Sequence, residues 1–177
     1  MKLEHWLLAA GTALALGGAA VAVDGPASSL ETATFSMYCY WTGEATLGKV
    51  EGIVASRIGH WQGREIVQVD YDASKTDLEE LVAALKRQRS FYSVVTSDAE
   101  SHVTLAHRVG DDEVTLVDGK PRFIESKHSL RVTKPQIYAL DLTEQQAIKL
   151  NSWAYFGGSM PDVLTEEQRV QLGSGKP

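Results

Sequence analysis

Hydrophobic positions change period along the chain, and the changes divide it into elements. Residues 32 to 41, "TATFSMYCYW", concentrate β-branched and aromatic types and predict a strand. Residues 42 to 52, "TGEATLGKVEG", space their apolar positions sparsely (Ala45, Leu47, Val50) between a Thr42 cap and a Gly52 stop, which predicts a short helix. "IVASRIGHW" and "REIVQVDYD" alternate with period two about a "QG" turn, the pattern of an antiparallel hairpin.

"TDLEELVAALKRQ" is helical in every respect. Leu78, Leu81, Val82 and Leu85 share one face, Thr76 with Glu79 forms a capping box, and basic residues close the last turn. "SFYSVVTS" returns to strand character. The order β-α-β-β-α-β over residues 32 to 97 predicts an α+β, ferredoxin-like sandwich, an antiparallel sheet with its helices on one face.

Residues 98 to 177 predict an extension packed on this core. Within it, "HVTLAHRVG" and "DEVTLVDGKPRFIES" suggest a hairpin through Gly110-Asp111-Asp112. Thr143 with Gln146, and Thr165 with Gln168, mark two helix starts.

Composition adds two constraints. A net charge of -6 and a pI near 5.3 disfavour nucleic acid and anionic lipid, which require clustered Lys and Arg. The first residues, "MKLEHWLLAAGTALALGGAAVAVDGPASS", combine a charged start, an apolar stretch and a small-residue site at Ala20-Val21-Ala22. Residues 1 to 22 therefore read as an export signal or a retained N-terminal membrane anchor, residues 23 to 31 as a linker, and the folded part as periplasmic or otherwise extracytoplasmic. Disulfides are permitted there, yet the chain has a single cysteine, Cys39.

Cys39 falls near the predicted strand-to-helix junction, where backbone N–H groups favour the thiolate, the form that attacks. Glu44, placed in the first helical turn, is a candidate proton donor if its aromatic surroundings disfavour the charge. Two readings stay open at this point. A lone cysteine on an apolar strand is commonly plain core, and a first-turn glutamate is commonly a solvated partner of the helix dipole. A third arrangement, Met37, Cys39 and His60 as an irregular soft-metal (copper) site, uses the same fold differently.

The stretch "CYWTGEATLGKVEGIVASRIGHWQGREIVQVDYDASKTDLEELVAAL" resembles the peptide methionine sulfoxide reductases of the A type over residues 35 to about 95. The resemblance implies an oxidoreductase in which Cys39 is the nucleophile and Glu44 the acid. Tyr40, Trp41, His60 and Tyr92 would bind the substrate, His60 and Tyr92 standing in for helper tyrosines. It also implies a methionine sulfoxide substrate, in proteins or as the free amino acid, and no cofactor. With no second cysteine, the oxidised enzyme requires an external, thioredoxin-like thiol reductant. Tyr38 and Thr42 replace the two glycines that flank the Cys-aromatic-Trp motif in that family. A non-catalytic accessory or binding protein on the same fold is the alternative.

Overall fold

The computed structural model describes residues 29–174. The expected signal or anchor at residues 1 to 22 lies outside them. No helix among the described residues is long and apolar enough to cross a membrane.

The first six elements follow the expected order: β1 (Leu30–Met37), α1 (Tyr40–Leu47), β2 (Ile53–Trp61), β3 (Arg64–Asp72), α2 (Leu78–Arg87) and β4 (Phe91–Thr96). Their strands lie side by side as β4-β1-β3-β2, all antiparallel. One face carries the helices. Ala33, Phe35 and Met37 of β1, Val67, Val69 and Tyr71 of β3, and Leu78, Leu81, Val82 and Leu85 of α2 form one buried cluster. The alternate residues of β1 are polar and pair across the opposite face, Ser36 with Ser93 and Thr34 with Gln68. Period two in the sequence is thus the two faces of a central strand. Gln62 and Gly63, both at positive φ, close the β2-β3 hairpin with the handedness that suits twisted strands.

Three boundaries differ from expectation. β1 stops at Met37, and α1 begins at Tyr40 rather than after Thr42, so Glu44 falls in the second turn and not the first. The α2 cap is Asp77, one residue beyond Thr76: its carboxylate accepts from the Glu80 amide at 2.8 Å, while Thr76 donates to the Glu80 side chain. The hairpin expected from "HVTLAHRVG" does not form, because residues Ala99–Val109 are a helix, α3. Asp98 caps it, and Leu105, Ala106 and Val109 pack on the main core. Arg108 grips Glu79 of α2 with two bonds of 2.9 Å. The apolar spacing fits a helix face as well as a strand, and a cap plus a facing helix decides for the helix.

With α3 as a crossover, β5 (Val114–Leu116) pairs parallel to β4, whereas β6 (Arg122–Ile124) pairs antiparallel to β2 at the far edge. The sheet becomes six-stranded and mixed, β5-β4-β1-β3-β2-β6. Between β5 and β6 the chain crosses the face opposite the helices. It is pinned there by Val117 against Trp61, Ile66 and Val95, and by a 3.0 Å bond from Trp61 Nε1 to the Asp118 carbonyl.

The remainder is helical: α4 (His128–Thr133), α5 (Pro135–Tyr138), α6 (Glu144–Phe156) and α7 (Glu166–Ser174). Both expected capping boxes are present, at Thr143/Gln146 and Thr165/Gln168. Leu130, Leu140, Leu150 and Leu164 form a second core, and Ile148 of α6 joins the first. α6 lies close against α1, since a Cβ on Gly48 would stand 2.9 Å from the Ile148 carbonyl oxygen.

Gly59 of β2 faces β6 at closer range still: a Cβ there would meet the Arg122 carbonyl oxygen at 2.3 Å. Backbone cannot yield as a side-chain tip does. Gly59→Ala is therefore expected to displace β6 and cost about 1–3 kcal/mol, read as a lowered urea midpoint.

Candidate active site

Cys39 is the residue that precedes the first turn of α1, in extended conformation, partly buried and unpaired. Its own side chain makes no capping bond. The cap comes instead from the neighbouring strand, where Glu65 of β3 accepts from the Tyr40 amide at 2.9 Å through Oε2. A carboxyl group therefore stands one peptide unit from the thiol-bearing residue. Ser90 completes the setting by donating to the Cys39 carbonyl at 3.3 Å.

Strand register explains which residues converge. Glu65 pairs with His60 across β3 and β2, and Ile58 with Val67 two residues away is in the core, so Glu65 and His60 face the helices at the end of the sheet where α1 begins. The Tyr40 ring meets His60 edge-on at 5.5 Å and Trp41 edge-on at 5.6 Å. Burial, the Glu65 carboxylate and Cys39 together push the Tyr40 phenol above its ordinary value, which keeps it a hydrogen-bond donor. His60 Nδ1 is buried with no partner among the described residues. Leaving such an atom unpaired costs about 1–3 kcal/mol, which a polar ligand atom would recover.

Trp41 is 37% exposed, and its other neighbour is His128, stacked on it with centroids 4.0 Å apart and planes 6° from parallel. Cys39, Tyr40, Trp41 and His60 are thus gathered at one end of the sheet. Tyr92 is not in that ring cluster: it is the residue skipped by the bulge between β1 and β4 and is 61% exposed. Met37 points under α1, into the core beside Gly43 and Val67.

Glu44 lies elsewhere than the sequence reading placed it, buried with 1% exposure between α1, β2 and the C-terminal extension. Ser56 Oγ donates to it at 3.1 Å, the Lys127 amide at 2.9 Å and Asn151 Nδ2 at 3.2 Å. Burial pushes its carboxyl up, against the opposing pull of the Lys127 charge, the Lys127 amide and Ser56. Lys127 is itself buried and adopts φ 58, a left-handed conformation uncommon outside glycine. Its Nζ donates to the Ser56 carbonyl at 2.9 Å and bonds to Glu144.

Glu65, Lys127 and His128 are the site residues the sequence reading missed. One signal was available for Glu65: in "REIVQVDYD" it shares parity with Val67, Val69 and Tyr71, so alternation puts a carboxylate on the core face. For Lys127 and His128 the spacing offers none, since their approach depends on β6 pairing at the far edge.

No protein-family profile matches the chain. The chain is similar to the peptide methionine sulfoxide reductase MsrA 1 of Nostoc sp., with 31% identity over a region that covers 30% of this chain and 44% of that protein. It spans less than half the length of that relative, and the match supports a distant likeness to this type of reductase.

A carboxyl group held above its ordinary value binds its proton more tightly in the folded protein. The stability it contributes is greatest at low pH and declines as pH rises from the ordinary carboxyl range through the raised one. Glu44→Gln keeps an acceptor for the Lys127 amide and removes that titration. The melting temperature of the wild type is expected to fall relative to the variant across this window, and a pH-independent difference would refute it.

Proposed function

We propose that the protein is a methionine-S-sulfoxide reductase-like enzyme in which Cys39 attacks the sulfoxide sulfur. The single observation that carries this reading is the convergence of Cys39, the Glu65 carboxyl group, the Tyr40 phenol and the unpartnered His60 Nδ1 at the start of α1. The distant likeness to MsrA 1 supports the same chemistry.

In this scheme the Glu65 carboxylate takes the Cys39 thiol proton and passes it to the sulfoxide oxygen as the sulfur of Cys39 attacks the sulfoxide sulfur. Tyr40 and His60 hydrogen-bond that oxygen as charge gathers on it. Two electrons pass from the thiol to the sulfoxide: methionine leaves, and the oxygen remains on Sγ as a sulfenic acid. A first external thiol then forms a mixed disulfide with Cys39 and releases water, and a second frees the Cys39 thiol as the reductant's disulfide. The chain's single cysteine requires that the reductant be external. Trp41 walls the methyl-bearing side of the substrate, and the exposed approach suits a methionine sulfoxide in a peptide as well as the free amino acid.

The acid is assigned to Glu65 and not to Glu44, because the Glu44 oxygens are committed to Ser56, Lys127 and Asn151 behind the helix. Export to a periplasmic or equivalent compartment is part of the proposal, supported by the pattern of residues 1 to 22.

With dithiothreitol as reductant, the protein is expected to reduce a methionine S-sulfoxide substrate. Cys39→Ser should abolish turnover, and Glu65→Gln should lower kcat by roughly 10²–10⁴-fold, with Glu44→Gln far milder. An inactive wild type sinks the reading, and a Glu44→Gln loss as large as that of Glu65→Gln returns the acid to Glu44.

A further inference from the structure

Among the described residues, Lys127 is the sole cation partnering the buried Glu44. Its amide donates to Glu44 at 2.9 Å, and its side chain spans to the Ser56 carbonyl of β2 and to Glu144 at the start of α6. One residue thus ties α1, β2 and α6 together from the join between β6 and α4. It does so in a left-handed conformation that costs a non-glycine residue about 1–3 kcal/mol.

That strain has a geometric consequence. The next residue is His128, and the turn at Lys127 delivers its ring flat against Trp41 at 4.0 Å. Within the same short helix, Arg131 Nη2 also approaches the imidazole Nδ1 at 3.4 Å. The neighbours of His128 are tied as well, Ser126 Oγ accepting from the Ile58 amide of β2 at 3.2 Å and the Leu130 amide donating to Asn151 of α6 at 3.0 Å, but Lys127 is the tie adjacent to His128 and reaches both elements through one side chain.

A buried lysine paired with a half-exposed carboxylate is by itself a poor stabiliser. Taking its charge out of water costs several kcal/mol, and well-packed apolar residues commonly serve stability as well or better. A lysine with 7% exposure at φ 58 is an expensive way to fill space. The backbone amide on Glu44 would be kept by any residue other than proline; what the lysine adds is directional anchoring at the side-chain end, its ammonium held between the Ser56 carbonyl and Glu144.

We propose that Lys127 is a positioning residue of the Cys39 site: it fixes His128 against Trp41 and thereby sets the substrate wall of a pocket whose nucleophile lies 88 residues earlier in the chain. Lys127 touches no reacting atom and acts through His128 and Trp41. The catalytic unit therefore includes the C-terminal extension. This rests on the reductase reading for its kinetic consequence but not for its structural one.

The test compares Lys127→Met, Lys127→Arg and Glu144→Gln in the full chain by two readouts. In NMR, the His128 ring protons are displaced upfield by the stacked indole. Lys127→Met is expected to abolish that displacement, Lys127→Arg to restore most of it, and Glu144→Gln to reduce it. With a methionine sulfoxide substrate, Lys127→Met should raise KM about tenfold, or about 1.4 kcal/mol, and change kcat less than threefold. A Lys127→Met protein that melts lower but keeps wild-type His128 resonances and wild-type KM overturns the proposal, since that is what stability alone would give. Should Lys127→Met fail to fold, Glu144→Gln decides, because it loosens the ammonium from a partly exposed position: unchanged His128 resonances there overturn it. Should the wild type lack reductase activity, the reductase reading fails, and the NMR arm still tests the positioning of His128.

Discussion

Burial of Glu44 is the constraint around which the rest is arranged. A carboxyl group with 1% exposure is tolerated only if its oxygens are satisfied, and the donors come from three separate places: Ser56 of β2, the Lys127 amide and Asn151 of α6. Meeting that demand forces the C-terminal extension onto the back of α1. The same contacts then carry neighbouring groups into position, Ser152 onto the Ala45 carbonyl at 2.7 Å and His128 onto Trp41. A polar group in the core thus specifies which surface the extension covers, where apolar packing alone would allow sliding.

The placement of Glu44 also leaves a different carboxylate beside Cys39 from the one expected there. Glu44 anchors α1 from behind, and Glu65 caps its front beside Cys39. A helix start bordered by a thiol and a carboxyl group makes chemical sense for a step in which one sulfur attacks and one oxygen takes a proton. The same helix start serves as structure, because Glu65 satisfies the Tyr40 amide that the Cys39 side chain leaves unpaired.

The βαββαβ core was legible because each signal in it is local. Alternation in "REIVQVDYD", the Gln62-Gly63 turn and the face of α2 each act over a few residues, and the sandwich follows from their order. Residues 99 to 109 misled because Val103 and Leu105 alternate while Leu105, Ala106 and Val109 also share a helical face; Asp98 and the Arg108–Glu79 pair decide between the two. Of the candidate site, Cys39, Tyr40, Trp41 and His60 come from one motif and one hairpin, and the structure gathers them at one end of the sheet. Tyr92 was not legible, since a bulge turns it outward, and Lys127 and His128 arrive only through a strand pairing at the opposite edge of the sheet.

The central claim is that Cys39 is a redox nucleophile without an internal partner, and a reaction run with no reductant tests it most directly. Mixed with excess methionine S-sulfoxide, the protein should release one equivalent of methionine and stop, with a sulfenic acid at Cys39 trapped by dimedone and identified by mass spectrometry. Release of no methionine, or release that continues past one equivalent without added thiol, would contradict the account.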